Sequence, residues 1–143
     1  MAVSITATPP MPVSFDTLKI GETYSRNYLA KLWGYAAYQA LARGVVTPKG
    51  DSNIILFVTA EKQEWIQQYT DKLQGYTLIW EGPNDHFAED RMIRSKDTGE
   101  DIHLFFRRKH HTDFICYGRL EIESFKIESV KPSVFTFSLI DLD

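Results

Sequence analysis

Residues 53–60, Asn-Ile-Ile-Leu-Phe-Val-Thr-Ala, set five large apolar side chains in a row between polar ends. Side chains of a strand alternate between its two faces, so an unbroken run like Ile54–Val58 can be buried only if both faces are covered. The chain must therefore build a sheet with packed material on either side of at least one strand. Four later phrases supply further strands: YTLIWEG at 76–82, IHLFFRRKH at 102–110, DFICYGRLEIES at 113–124 and SVFTFSLID at 133–141. With the short extended piece in GETYS, about six strands are expected.

Helical signals lie ahead of the strands. Ser25 is placed to cap a helix starting at Arg26, with Leu29, Leu32 and Trp33 at helical spacing and Gly34 as its stop. YAAYQALARG, 35–44, forms a second helical phrase ended by Gly44, and GVVTPKGDSN is a turn-rich connection. Residues 61–75 read as a polar helix with Trp65, Ile66 and Tyr69 on one side, or as a long loop; residues 83–101 read as irregular. Few connections resemble strand–helix–strand crossovers, which argues against a parallel doubly wound sheet. The expected fold is α+β: a curved, mostly antiparallel sheet or half-open β-barrel with one or two flanking helices near the N-terminus. Residues 1–14, with three prolines, read as a flexible arm and 15–143 as one domain.

Composition narrows function. No apolar run approaches the roughly 20 residues of a membrane span, and the N-terminus lacks the basic and apolar regions of a secretory signal. A single cysteine, Cys116, suits a reducing cytoplasm and reads as core, not nucleophile. Net charge is −3, yet residues 91–119 carry seven Lys/Arg against four acids, leaving the remainder acidic. That stretch is either a basic face or a strand pair with solvated side chains. His86 and His103 stand alone, and the adjacent His110 and His111 would point to opposite faces, so no metal site is expected. No glycine-rich phosphate loop or nucleophile elbow occurs. The acids Asp85, Glu89 and Asp90 crowd one segment without a recognisable nuclease pattern. The residues point to a binding module needing no cofactor.

The ordered phrases Gly21-x-x-Tyr24-x-Arg26-x-x-Leu29, Leu56-Phe57-Val58-Thr59, Tyr69-x-Asp71, Trp80-x-Gly82 and His103-Leu104-Phe105 with Tyr117-Gly118 resemble the SRA-like, PUA-superfamily domains fused to nucleases and helicases of modification-dependent (type IV) restriction systems. The resemblance covers about residues 17–139. It implies a half-open barrel that binds duplex DNA carrying a modified base, rotates one nucleotide out of the stack, and works beside a fused or partner nuclease in the bacterial cytoplasm. Flipping costs a few kcal/mol, which stacking and base-edge hydrogen bonds must offset. Expected pocket residues are Tyr24, Tyr35, Tyr69, Asp71, Trp80 and Glu81. Expected contacts to the DNA backbone are Arg26, Lys31, Arg91, Arg94, Lys96, Arg107, Arg108 and Lys109.

Each has a plainer role. Arg26 could stack on Tyr24 or pair with Glu22, Trp33 could fill the core beside Leu29, and a helical 69–71 would separate Tyr69 from Asp71. Arg107 and Arg108 point to opposite faces of a strand, so one DNA surface can take only one of them. Modified cytosine is favoured by prevalence in the family; N6-methyladenine, phosphorothioate and hydroxymethylated or glucosylated cytosine stay chemically open. The competing reading is a PUA-like module for RNA, a small nucleotide ligand or a protein partner.

Overall fold

The computed structural model describes residues 13–60 and 71–142. The chain runs β1 (Thr23–Tyr24), α1 (Arg26–Leu32), a 3₁₀ turn (Tyr38–Leu41), β2 (Val45–Val46), β3 (Asn53–Thr59), β4 (Lys72–Gln74) and β5 (Thr77–Glu81). It continues through α2 (Glu89–Ile93), α3 (Ser95–Thr98), β6 (Asp101–Arg107), β7 (Phe114–Lys126) and β8 (Val134–Leu139). Eight strands form one open, mixed sheet in the order β2-β3-β6-β7-β8-β5-β4, and β1 pairs with the start of β7. The expected α+β fold with a mostly antiparallel sheet is present; among the described residues β3 and β6 form its one parallel pair.

The apolar run of β3 is buried on both sides, as its sequence demands. Ile54, Leu56 and Val58 join Ile102, Leu104 and Phe106 of β6 in one core, closed by Leu78 and Trp80 of β5, Phe135 and Phe137 of β8, and Met92. Ile55 and Phe57 join Phe105 in a second core on the opposite face, covered by Leu29, Ala30, Trp33 and Leu41. The helix covering that face is held where the sequence placed it. Ser25 Oγ accepts from Tyr28 N at 3.0 Å, and Gly34, at φ +81°, ends the helix just past Trp33. Trp33 Nε1 donates to Ser14 O at 2.8 Å, and Val13 N to Asp51 Oδ2 at 2.8 Å, so residues 13 and 14 pack onto the domain.

Two expectations of local structure differ from the fold. The phrase 35–44 yields only the 3₁₀ turn, because an alanine-rich segment this short is marginal as a helix without a buried stripe. Residues 83–101 contain α2 and α3, whose Met92 is pulled into the core, as tertiary burial overrides a polar local sequence. Trp65, Ile66 and Tyr69 lie outside the described residues.

In β7 the apolar residues Phe114, Cys116, Leu120 and Ile122 keep a period of two, yet they serve two different cores. The register with β6 slips at this point, since Leu104 faces Gly118 and Phe105 faces Cys116, leaving Tyr117 as an extra residue. This bulge moves the strand's parity by one and bends it. Gly118 takes φ +81°, and a Cβ there would lie 2.8 Å from Asp141 Cβ. Gly118→Ala is expected to cost about 1–3 kcal/mol of overpacking beyond the backbone strain. Gly75, at φ +59° with open space around it, should show only the backbone strain, about 1 kcal/mol, on the same change. Urea midpoints of the two variants measure the difference.

Candidate nucleic-acid interface

Capping by Ser25 fixes where α1 begins, and Arg26 as its first residue turns its side chain onto the sheet. Arg26 Nε donates to Leu41 O at 2.7 Å, and its guanidinium lies 4.8 Å from the Phe57 ring centroid and 4.9 Å from that of Phe114. Arg107 ends β6 on the same face. Its Nε donates to Thr59 Oγ1 at 2.8 Å, across the parallel pair, and its Nη1 to Thr112 O at 3.0 Å. Its guanidinium is 4.3 Å from the same Phe114 ring. One phenyl ring thus carries two cations. Burial lowers the pKa of both, and for Arg26 the charge of Arg107 lowers it further.

Arg108 takes the opposite face, with its guanidinium 5.9 Å from the Phe106 ring, as strand alternation requires. Lys109 is exposed at the turn, where its carbonyl accepts from Thr112 Oγ1 at 2.7 Å.

Three other expected backbone contacts are paired elsewhere. Arg91 is held by both carboxylate oxygens of Glu100, Arg94 pairs with Asp90 at 2.6 Å, and Lys96 with Glu121 at 3.3 Å. Glu100 precedes β6, whereas Arg107 ends it, about 20 Å away at strand rise. Arg119 of β7 is bound by Asp141. The basic stretch 91–119 therefore folds into separated groups. Lys31 is exposed in the last turn of α1.

The expected pocket residues also separate. Trp80 is 4% exposed and sits between Phe135 and Phe137, with centroids 5.7 and 6.3 Å away, so it is a core residue without an open stacking face. Asp71 Oδ1 accepts from Glu81 N at 2.9 Å, joining those two at the β4–β5 end of the sheet. Tyr69 lies outside the described residues. Tyr24 stacks on Tyr28 at 5.5 Å, and its hydroxyl accepts from Lys19 N at 2.9 Å.

Tyr35, at the β2 end, lines a surface cavity of about 260 Å³ with Arg43, Thr47, Lys49 and Phe87. Its hydroxyl pKa is raised by burial and then by Asp51. Phe87 and Arg43 escaped the sequence reading. Arg43 stands 4.4 Å over the Phe87 ring and 3.0 Å from Asp85. Phe87 is flanked by His86 and Ala88 at φ 59° and 65°, left-handed conformations that no glycine announces.

His103 is stacked 3.5 Å from Phe15, and its Nε2 lies 2.9 Å from Asn53 Oδ1. Burial, followed by the Arg119 charge, lowers its pKa to about 4. It lines a second cavity, of about 210 Å³, with Cys116, Arg119 and Asp141; burial raises the Cys116 pKa. Among the described residues no three His, Cys, Asp or Glu are placed to share a metal ion.

Compared with known proteins, the chain matches no family model and no curated protein. Among solved structures it is similar to the DNA modification-dependent restriction endonuclease AspBHI, at 15% identity and a TM-score of 0.47. The match covers 92% of this chain and 45% of that one, so the chain spans less than half the length of the endonuclease.

The lowered pKa of His103 has a signed consequence. Between its unfolded value near 6.5 and about 4, the unfolded chain binds a proton that the folded one refuses, so stability falls as pH drops through this window. The full loss is about 3 kcal/mol, given 1.36 kcal/mol per pKa unit. Comparing urea midpoints at high and low pH, His103→Gln should lose less stability than the parent over that range.

Proposed function

We propose that this chain is a DNA-binding specificity module that reads a modified base, with modified cytosine the leading ligand, and that takes the base out of the stack. Cutting then falls to a fused or partner nuclease. The observation that carries this reading is the distribution of arginines. Arg43, Arg91, Arg94 and Arg119 are each neutralised by a carboxylate. Arg26 and Arg107 have none among the described residues, and both lie on one face at the end of the sheet where β3 and β6 finish, the face from which Arg108 turns away. Uncompensated arginine gathered at one place in an acidic protein is what a polyanion selects, and duplex phosphate spacing rewards such a group.

The cavity beside Tyr35 and Phe87 is the proposed receiver of the extruded base. Two aromatic rings offer stacking surface, and Arg43 and Lys49 border it. It adjoins the arginines: Arg26 bonds Leu41 of the 3₁₀ turn whose Ala40 lines the cavity. A four-residue 3₁₀ turn spans about 8 Å, so one strand can be held by its phosphate while the neighbouring base enters. The phenol of Tyr35, kept protonated, supplies a donor at the wall.

Fluorescence anisotropy with one duplex, unmodified or carrying each candidate modification at about 100 mM salt, tests the reading. The expected result is at least tenfold preference for one modification, about 1.4 kcal/mol, lost on Tyr35→Ala with Phe87→Ala. Arg107→Gln should weaken all duplexes alike and reduce the salt slope by about one unit. Equal weak binding to every duplex would reject base reading.

A further inference from the structure

Phe114 is buried and carries two guanidiniums, of which Arg26 donates to the Leu41 carbonyl and Arg107 to the Thr59 hydroxyl and the Thr112 carbonyl. None of these acceptors is anionic. The charge of Arg107 acts on Arg26, and each is partly desolvated, so the pair raises the energy of the empty fold. Cation–π contact with one ring recovers only part of that. The Nη1 and Nη2 groups of Arg26 and the Nη2 of Arg107 have no partner among the described residues. Both Nε groups are fixed, so the forks are oriented before any ligand arrives.

We infer that Arg26 and Arg107, set on the Phe114 ring, form a bracket for a single phosphate group. The chemistry is that of a tetrahedral oxyanion: two forks can each donate to separate oxygens, and one dianionic or monoanionic group cancels the repulsion between them. Arg108 is excluded by facing the other side of the sheet, and Lys109 by its place out on the turn. The group would come either from a nucleic-acid backbone, which rests on the function proposed above, or from free phosphate, which does not.

The two sources and the bracket itself are separable in one series. Inorganic phosphate is titrated into the 15N-labelled chain at constant ionic strength and pH 7, with the arginine Nε–Hε resonances as readout. The expected result is that the Arg26 and Arg107 resonances move together along one saturable curve, while those of Arg94 stay still. Arg107→Gln and Arg26→Gln should each weaken phosphate at least tenfold. Arg107→Lys keeps the charge and loses the fork, and should weaken it several-fold; the amide spectrum of each variant reports that it is folded.

If neither resonance responds to phosphate, or each responds with its own curve, the bracket is overturned and the two arginines are staples of the fold. Short unmodified duplex is then added to the phosphate-loaded chain. Displacement of phosphate with the same two resonances retained supports a backbone phosphate as occupant. Phosphate that stays bound while duplex binds or fails to bind supports the bracket as a free-phosphate site and removes it from the DNA interface.

Discussion

Pairing β3 with β6 in parallel, both strands covered on both faces, is the constraint from which the rest of the structure follows. A parallel pair cannot be closed by a hairpin, and so the chain between Thr59 and Asp101 must travel away and return. It uses that excursion to build β4 and β5 at the far edge and α2 and α3 beside the core. Double coverage needs two sets of partners. β5 and β8 supply one, α1 and the segment around Leu41 the other.

β7 has to serve both cores, because it borders β6 at one end and β8 at the other. A regular strand would send Phe114, Cys116, Leu120 and Ile122 to the same side. The bulge at Tyr117–Gly118 resolves this by turning the second half of the strand over. Its cost is the glycine, whose left-handed backbone brings Asp141 against the strand; that approach lets Asp141 hold Arg119 and accept from its backbone N at 2.8 Å. One local irregularity thus orders a strand, neutralises an arginine and shapes the cavity at His103.

The same constraint decides which cations stay available. Arg107 ends β6 beside Thr59, the end of β3, because the two strands run in register from Asn53–Asp101 upward. α1 packs across that face and brings Arg26 to the same phenyl ring. Arginines on the excursion meet carboxylates that the excursion itself provides, as Arg91 meets Glu100 and Arg94 meets Asp90.

The doubly buried run at 54–58, the Ser25 cap, the Gly34 stop, the strand phrases and the opposite facing of Arg107 and Arg108 were legible in the sequence. Each depends on neighbours within a turn or two of chain, where periodicity and capping chemistry act. Trp80 shows the limit: at the end of an apolar phrase beside Glu81 it could have stood at a pocket mouth, and only the pairing with Phe135 turns it into core. Phe87 and Arg43 reach one cavity from different segments, and nothing in either segment names the other. The seven basic residues of 91–119 looked like one surface because charge along the chain is a sum, whereas a site is a distance. Which arginine meets a carboxylate was decided by strand register and by a bulge, and long-range contacts of that kind are set only when the whole sheet has closed around its two cores.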